Sequence, residues 1–185
     1  LLDLRVEGKK MKIQSLINQL PSRYRELLGD YEFKGDFNFI ALVKGYTGEK
    51  TNPLVSVAFG LKDGDIIQKQ NSITLSHVCF DAEFTNGSGH QKATTTLSVR
   101  GFKSQLNDGN IAGSIQIKNF IKPEIALKLA ASLDLKDIFL FVKTDTVQSA
   151  SGKILLNTDI KGVIERPDGF TVRDFIASTS TGTLE

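Results

Sequence analysis

The stretch Gly35-Asp-Phe-Asn-Phe-Ile-Ala-Leu-Val-Lys-Gly45 has a near copy at Gly152-Lys-Ile-Leu-Leu-Asn-Thr-Asp-Ile-Lys-Gly162, and this pair limits what the chain can fold into. Each copy spans eleven residues from glycine to glycine and closes on a β-branched residue, Lys and Gly. In register, Phe37, Phe39, Ala41 and Val43 answer to Ile154, Leu156, Thr158 and Ile160. Spacing by two puts those side chains on one face of an extended strand. The other face is mixed: Asp36, Asn38 and Lys44 against Lys153, Asn157 and Asp159, with Ile40, Leu42 and Leu155 as apolar exceptions.

The echo extends beyond the strand. Asn52-Pro-Leu-Val-Ser-Val-Ala-Phe59 resembles Lys122-Pro-Glu-Ile-Ala-Leu-Lys-Leu129, and Met11-Lys-Ile-Gln-Ser-Leu16 resembles Leu133-Asp-Leu-Lys-Asp-Ile138. Self-similarity of this kind marks a repeat architecture. It predicts one β-rich domain over 1–185, with repeat-like halves at about 1–60 and 123–185 around a meander at 61–122.

Period two dominates from residue 31 onward. Strands are expected at 1–7, 31–44, 54–61, 65–70, 73–85, 92–106, 110–120, 124–132 and 152–162. Asp63-Gly64, Asn86-Gly87 and Asp108-Gly109 read as tight turns between antiparallel strands, because these pairs tolerate positive φ. Gly8-Lys-Lys10 reads as the end of the first strand. The helical exception is 12–28, where Ile13, Leu16, Ile17 and Leu20 make one apolar stripe. Tyr24, Leu27 and Leu28 continue it, and Gly29 stops it. Pro21 removes a donor and disfavours helix at Leu20, so a kink or two short helices is expected. A second short helix is expected at 134–142, with Asp134 as its N-cap. Arg166-Pro-Asp-Gly169 reads as a turn and 171–178 as the last recognisable element. Both ends read as cut from a longer protein.

Composition narrows the function. Hydrophobic residues at 40% and charged residues at 24% are those of a folded domain, and a net charge of +2 gives no footing for nucleic acid. No run of eighteen apolar residues and no signal peptide is present. Cys79 is the single cysteine, so no internal disulfide is possible.

Chemistry is hard to find. His77, Cys79 and Asp81 alternate, but residues two apart make a line, and zinc needs four ligands around a point. Asp63 and Asp65 flank a glycine without the further oxygens of a calcium loop. Asn86-Gly-Ser88 matches a glycosylation acceptor that an Asn-Gly turn explains. No acid–base pair, nucleophile elbow, P-loop or dinucleotide fingerprint occurs. The reading is no enzyme, no catalytic residue, no metal and no cofactor.

What remains is apolar surface, which a closed core absorbs or a curved open sheet leaves free for an acyl chain. The candidate contacts are Phe37, Phe39 and Val43 on one strand and Val55, Val57 and Phe59 on the next. Further along the chain they are Ile115 and Ile117, then Leu127 and Leu129, then Ile154, Leu156 and Ile160.

Several segments together resemble the AsmA-like family of Gram-negative bacteria, in its Bacteroidetes-type form related to TamB. They are Leu2-Asp-Leu-Arg-Val-Glu-Gly8, Ile13-Gln-Ser-Leu-Ile17, Tyr31-Glu-Phe-Lys-Gly-Asp-Phe37 with Val43-Lys-Gly45, Asn52-Pro-Leu-Val-Ser-Val57, Ile117-Lys-Asn-Phe120, Leu133-Asp-Leu-Lys-Asp-Ile138 and Ile160-Lys-Gly162. The resemblance implies a mainly β fold with minor α, in which a curved, highly twisted antiparallel sheet makes a taco-like groove. It implies a periplasmic protein held to the inner membrane by a segment outside this stretch. It also implies a part in phospholipid transport and outer-membrane biogenesis. The partner would be a phospholipid or other acyl-chain lipid, with envelope proteins as further partners. The alternatives are a closed β-rich scaffold or interaction module, and an assembly factor for outer-membrane proteins that takes no lipid.

Overall fold

A computed structural model describes residues 1–19, 22–48, 51–70, 73–137, 151–163 and 180–184. Their alternating sequence builds one antiparallel sheet whose nine strands lie in chain order. The strands are β1 (Leu2–Lys12), β2 (Tyr31–Gly45), β3 (Leu54–Gln68), β4 (Ile73–Thr85), β5 (Thr96–Leu106), β6 (Gly109–Lys118), β7 (Glu124–Asp134), β8 (Lys153–Val163) and β9 (Ser180–Leu184). Every strand pairs with its sequence neighbour, so each connection need only reverse the chain.

Residues 12–28 give two short helices, α1 (Ile13–Ile17) and α2 (Ser22–Leu28). Beyond neighbouring strands, the main packing among described elements is α1 against β2 and β1. The Gln14 side-chain oxygen accepts the Phe33 N–H at 2.9 Å, which ties α1 to the start of β2. Of the expected second helix, residues 134–137 are described: Asp134 is the last residue of β7, and 135–137 are helical. Its remainder, Leu20 and Pro21, the turn at 166–169 and the element at 171–178 lie outside the described residues.

Three turn assignments need correction. Gly8-Lys-Lys10 does not end β1, which runs on to Lys12 through a register shift between Gly8 and Met11. Asp63-Gly64 is no hairpin, because β3 passes straight through it and joins the two strands expected at 54–61 and 65–70. Its positive φ of 52° at Asp63 serves a bulge instead of a turn. Asn86-Gly87 opens a longer loop that holds a 3-10 turn at Lys92–Thr94. There Asn86 works as a clasp: its Oδ1 accepts the Val55 N–H at 2.8 Å and its Nδ2 donates to the Pro53 carbonyl at 2.9 Å. Asp108-Gly109 does lie at a tight hairpin, where Leu106 pairs directly with Gly109.

The bulges form a line. Lys10 in β1, Gly35 in β2, Asp63 in β3, His77 in β4 and Gly101 in β5 all have positive φ. Register shifts accompany them from β1 through β5, whereas the β6–β7 and β7–β8 ladders run without one. A bulge bends its strand and sharpens the local twist. Five in adjacent strands crease one half of the sheet and leave the other regular. The buried apolar side chains gather at this crease. Leu61 is 2% and Val78 0% exposed, and Leu106 and Ala82 are buried nearby.

Leu61→Ala is therefore expected to cost about 2–5 kcal/mol, as for other buried leucines. Urea denaturation checks this. A loss under about 1 kcal/mol would mean the crease is not where the packing energy is concentrated.

Candidate functional site

Cross-strand register decides which side chains share a face, because residues directly opposite in an antiparallel ladder point the same way. One row runs Val6–Ala41–Val57–Phe84–Leu97–Ile117–Ile125 across seven strands. The next, two residues along, runs Phe39–Phe59–Ala82–Val99–Ile115–Leu127–Ile160. Val43 and Val55 belong to a third row with Leu4. Phe37 lies opposite Leu61, and Leu129 opposite Thr158. Leu156 lies opposite Ala131 and Ile154 opposite Leu133.

All thirteen candidate residues thus fall on one face of one sheet. They do not converge on a point. Phe39 and Leu156 stand six strands apart, about 29 Å at the usual strand spacing. The face also holds Leu4, Val6, Leu61, Phe80, Ala82, Phe84 and Ile125, which the sequence reading did not select. Their signal was present in the alternation, but only the register joins them to the others.

Aromatic rings gather at the centre of β2–β4. Phe37 and Phe59 have centroids 5.8 Å apart, Phe37 and Phe39 6.2 Å, and Phe59 and Phe80 6.3 Å. These separations suit edge or tilted aromatic contacts. Apart from Ala82, the side chains of the two long rows stay at least partly open to solvent. At the β1 border Leu4 is 51% exposed.

The opposite face has other chemistry. Its row facing away from Phe39 and Val57 runs Glu7–Ile40–Ala58–Glu83–Ser98–Gln116–Ala126–Lys161. Ion pairs tie it together: Lys9–Glu7 at 2.7 Å, Lys12–Asp36 at 2.7 Å and Arg100–Glu83. The hydrogen bond and charge of Lys12 hold the Asp36 carboxyl below its ordinary range, and Lys9 does the same to Glu7. A depression of about 670 Å³ lies here, over Ala58 and Gly60 and edged by Glu7, Lys62, Asp81 and Arg100. It arises because small side chains leave a gap between long charged ones, and Phe39, Phe59 and Ala82 of the second apolar row also line it.

His77, Cys79 and Asp81 do not share a regular face. The bulge between Ser76 and Cys79 removes His77 from the alternation. Its Nδ1 pairs with Asp63 Oδ1 at 2.7 Å, and Cys79 Sγ accepts the Asp63 N–H at 3.4 Å. Among the described residues no three His, Cys, Asp or Glu side chains cluster to hold a metal. No described helix is long and apolar enough to cross a membrane.

The fold and this face define an open antiparallel β-sheet with one apolar side and one mixed side that carries the charges. No family model, no curated protein and no solved structure matches the chain.

Proposed function

We propose that this chain is a non-catalytic lipid-shielding segment whose apolar sheet face covers acyl chains. The observation that carries the reading is the two unbroken apolar rows, seven residues each, on a sheet whose other side is charged. Each row crosses seven strands, and six spacings of about 4.8 Å make it about 29 Å long. A contiguous apolar surface of more than a few hundred Å² marks a binding site on a water-facing protein. Ten methylenes laid on it gain roughly 8 kcal/mol before the cost of ordering the chain.

The sheet curls towards its apolar side, and the hollow so formed is the groove. The crease supports this, since Leu61 and Val78 are nearly sealed from water there. The likeness of its segments to AsmA-like proteins gives the setting. The segment works in the periplasm, and a stretch outside it holds the protein to the inner membrane. It contributes to phospholipid transport and outer-membrane biogenesis.

Photo-crosslinking residues at Phe39 and Leu156, introduced into the protein in cells, test the reading. Ile40 and Leu155 are the matched controls, since each is one residue away and faces the polar side. Lipid adducts are expected at 39 and 156 and not at 40 and 155. Adducts to protein alone, or equal lipid labelling at all four, would overturn it.

A further inference from the structure

Strand order leaves the outer edge of β1 without a partner among the described strands. An edge of this kind offers N–H and C=O groups to any strand that can align with it. Edges are commonly protected by lysine, proline or a bulge. On β1 the protection sits at one end, in Lys9, Lys10 and the register shift between Gly8 and Met11. Residues 2–8 have none of it and pair with β2 without a break. Their apolar side chains are open as well: Leu4, and with it Leu2 at 39% and Val6 at 43% exposed.

The charges of β1 alternate in sign along its polar side: Asp3, Arg5, Glu7, Lys9. Read in the opposite direction, this order is its own complement. Lay two copies antiparallel with Val6 of one opposite Val6 of the other. Arg5 then faces Glu7 and Asp3 faces Lys9, on both sides of the centre. On the apolar side Leu4 comes opposite Gly8, beside which the Phe39 ring and the Met11 thioether lie. Other registers are worse. Centring on Arg5 or on Glu7 sets like charges opposite each other, which destabilises a ladder. Centring on Leu4 keeps Asp3 against Arg5 but leaves Glu7 and Lys9 unmatched. An odd shift turns apolar side chains to the charged face. At the opposite border of the described sheet, β9 is Ser180-Thr-Gly-Thr-Leu184 and offers no charge to match.

We propose that two copies of this chain join by β1–β1 pairing about a twofold axis through Val6, making one continuous sheet. The contact uses the same patch on both copies, so it closes at two. The axis stands perpendicular to the sheet, which keeps both apolar faces on one side. Val6 begins the first long row, so the pairing joins that row to its counterpart in the other copy. The inference stands without the lipid reading.

Analytical ultracentrifugation of the chain is expected to show a monomer–dimer equilibrium with a Kd of about 10 μM, because one strand edge makes a small interface. Arg5→Glu and, separately, Glu7→Arg should each weaken it at least about tenfold, since each sets like charges face to face twice. An equimolar mixture of the two variants should recover the dimer, because each then meets the opposite sign. Lys92→Glu, an equal change of charge in the 3-10 turn, should leave it as it is. A second measurement reads the register. In a Cys79→Ala background, Val6→Cys should give a covalent dimer on mild oxidation, as directly paired Cα atoms stand about 4.5–5.5 Å apart. Leu4→Cys should not, because four residues of strand, about 14 Å, separate it from its counterpart. A chain that stays monomeric well above that Kd overturns the proposal. So does a mixture that fails to recover the dimer, a covalent dimer through Leu4→Cys in place of Val6→Cys, or growth into open-ended oligomers.

Discussion

Gly35→Ala is expected to lower the unfolding free energy by about 3–4 kcal/mol, whereas Gly101→Ala loses about 1 kcal/mol. Both glycines belong to the bulge line and both have positive φ, 123° and 60°. They differ in what a methyl group would meet. A Cβ at Gly35 would stand 2.7 Å from the Gly64 Cα and 3.1 Å from Leu61 Cδ1, so backbone must move. At Gly101 nothing lies within 4 Å, and only the conformational cost remains. Urea midpoints of the two variants, at unchanged m-value, measure the difference. Equal losses would mean that the close approach of β2 and β3 does not hold the crease. The comparison matters for the proposed function, in which the crease turns a flat amphipathic sheet into a hollow.

Phe59→Asp should weaken capture of acyl lipid by about 50-fold. Phe59 sits among Phe37, Phe39 and Phe80, second in the second long row. A carboxylate there denies contact to roughly three methylenes, about 2.4 kcal/mol. Ala58→Asp, one residue away on the charged side, should have no such effect. Transfer of a fluorescent phospholipid between vesicles reads both variants. Equal transfer by the two would remove the apolar face from the lipid path. Phe59 is only partly buried, so the chain is expected to stay folded with the charge in place.

Most strands were legible because alternation is a local property. The stretch 31–44 met β2 almost residue for residue, and 152–162 met β8 with a shift of one. The thirteen apolar candidates shared a face for the same reason: a spacing of two fixes sidedness within any strand. Glycine-containing pairs were less legible. Asp63-Gly64 and Asp108-Gly109 are the same dipeptide, yet one is a bulge inside β3 and the other lies at a hairpin. In β3 the positive φ falls on Asp63 itself, whereas at the hairpin it falls on Asn107, one residue before the pair. Whether the chain then reverses depends on what it pairs with next. Leu61 has Phe80 opposite and Gly64 has Val78, so β3 gains more by continuing along β4.

The sequence by itself determined which side chains of each strand are oily and which are charged, because the two-residue pleat needs no neighbour. Only the tertiary structure decided that these sides align across adjacent strands, since register is set between chains of the ladder and not within one. It alone also set the crease, where positive-φ residues scattered along the sequence fall into line.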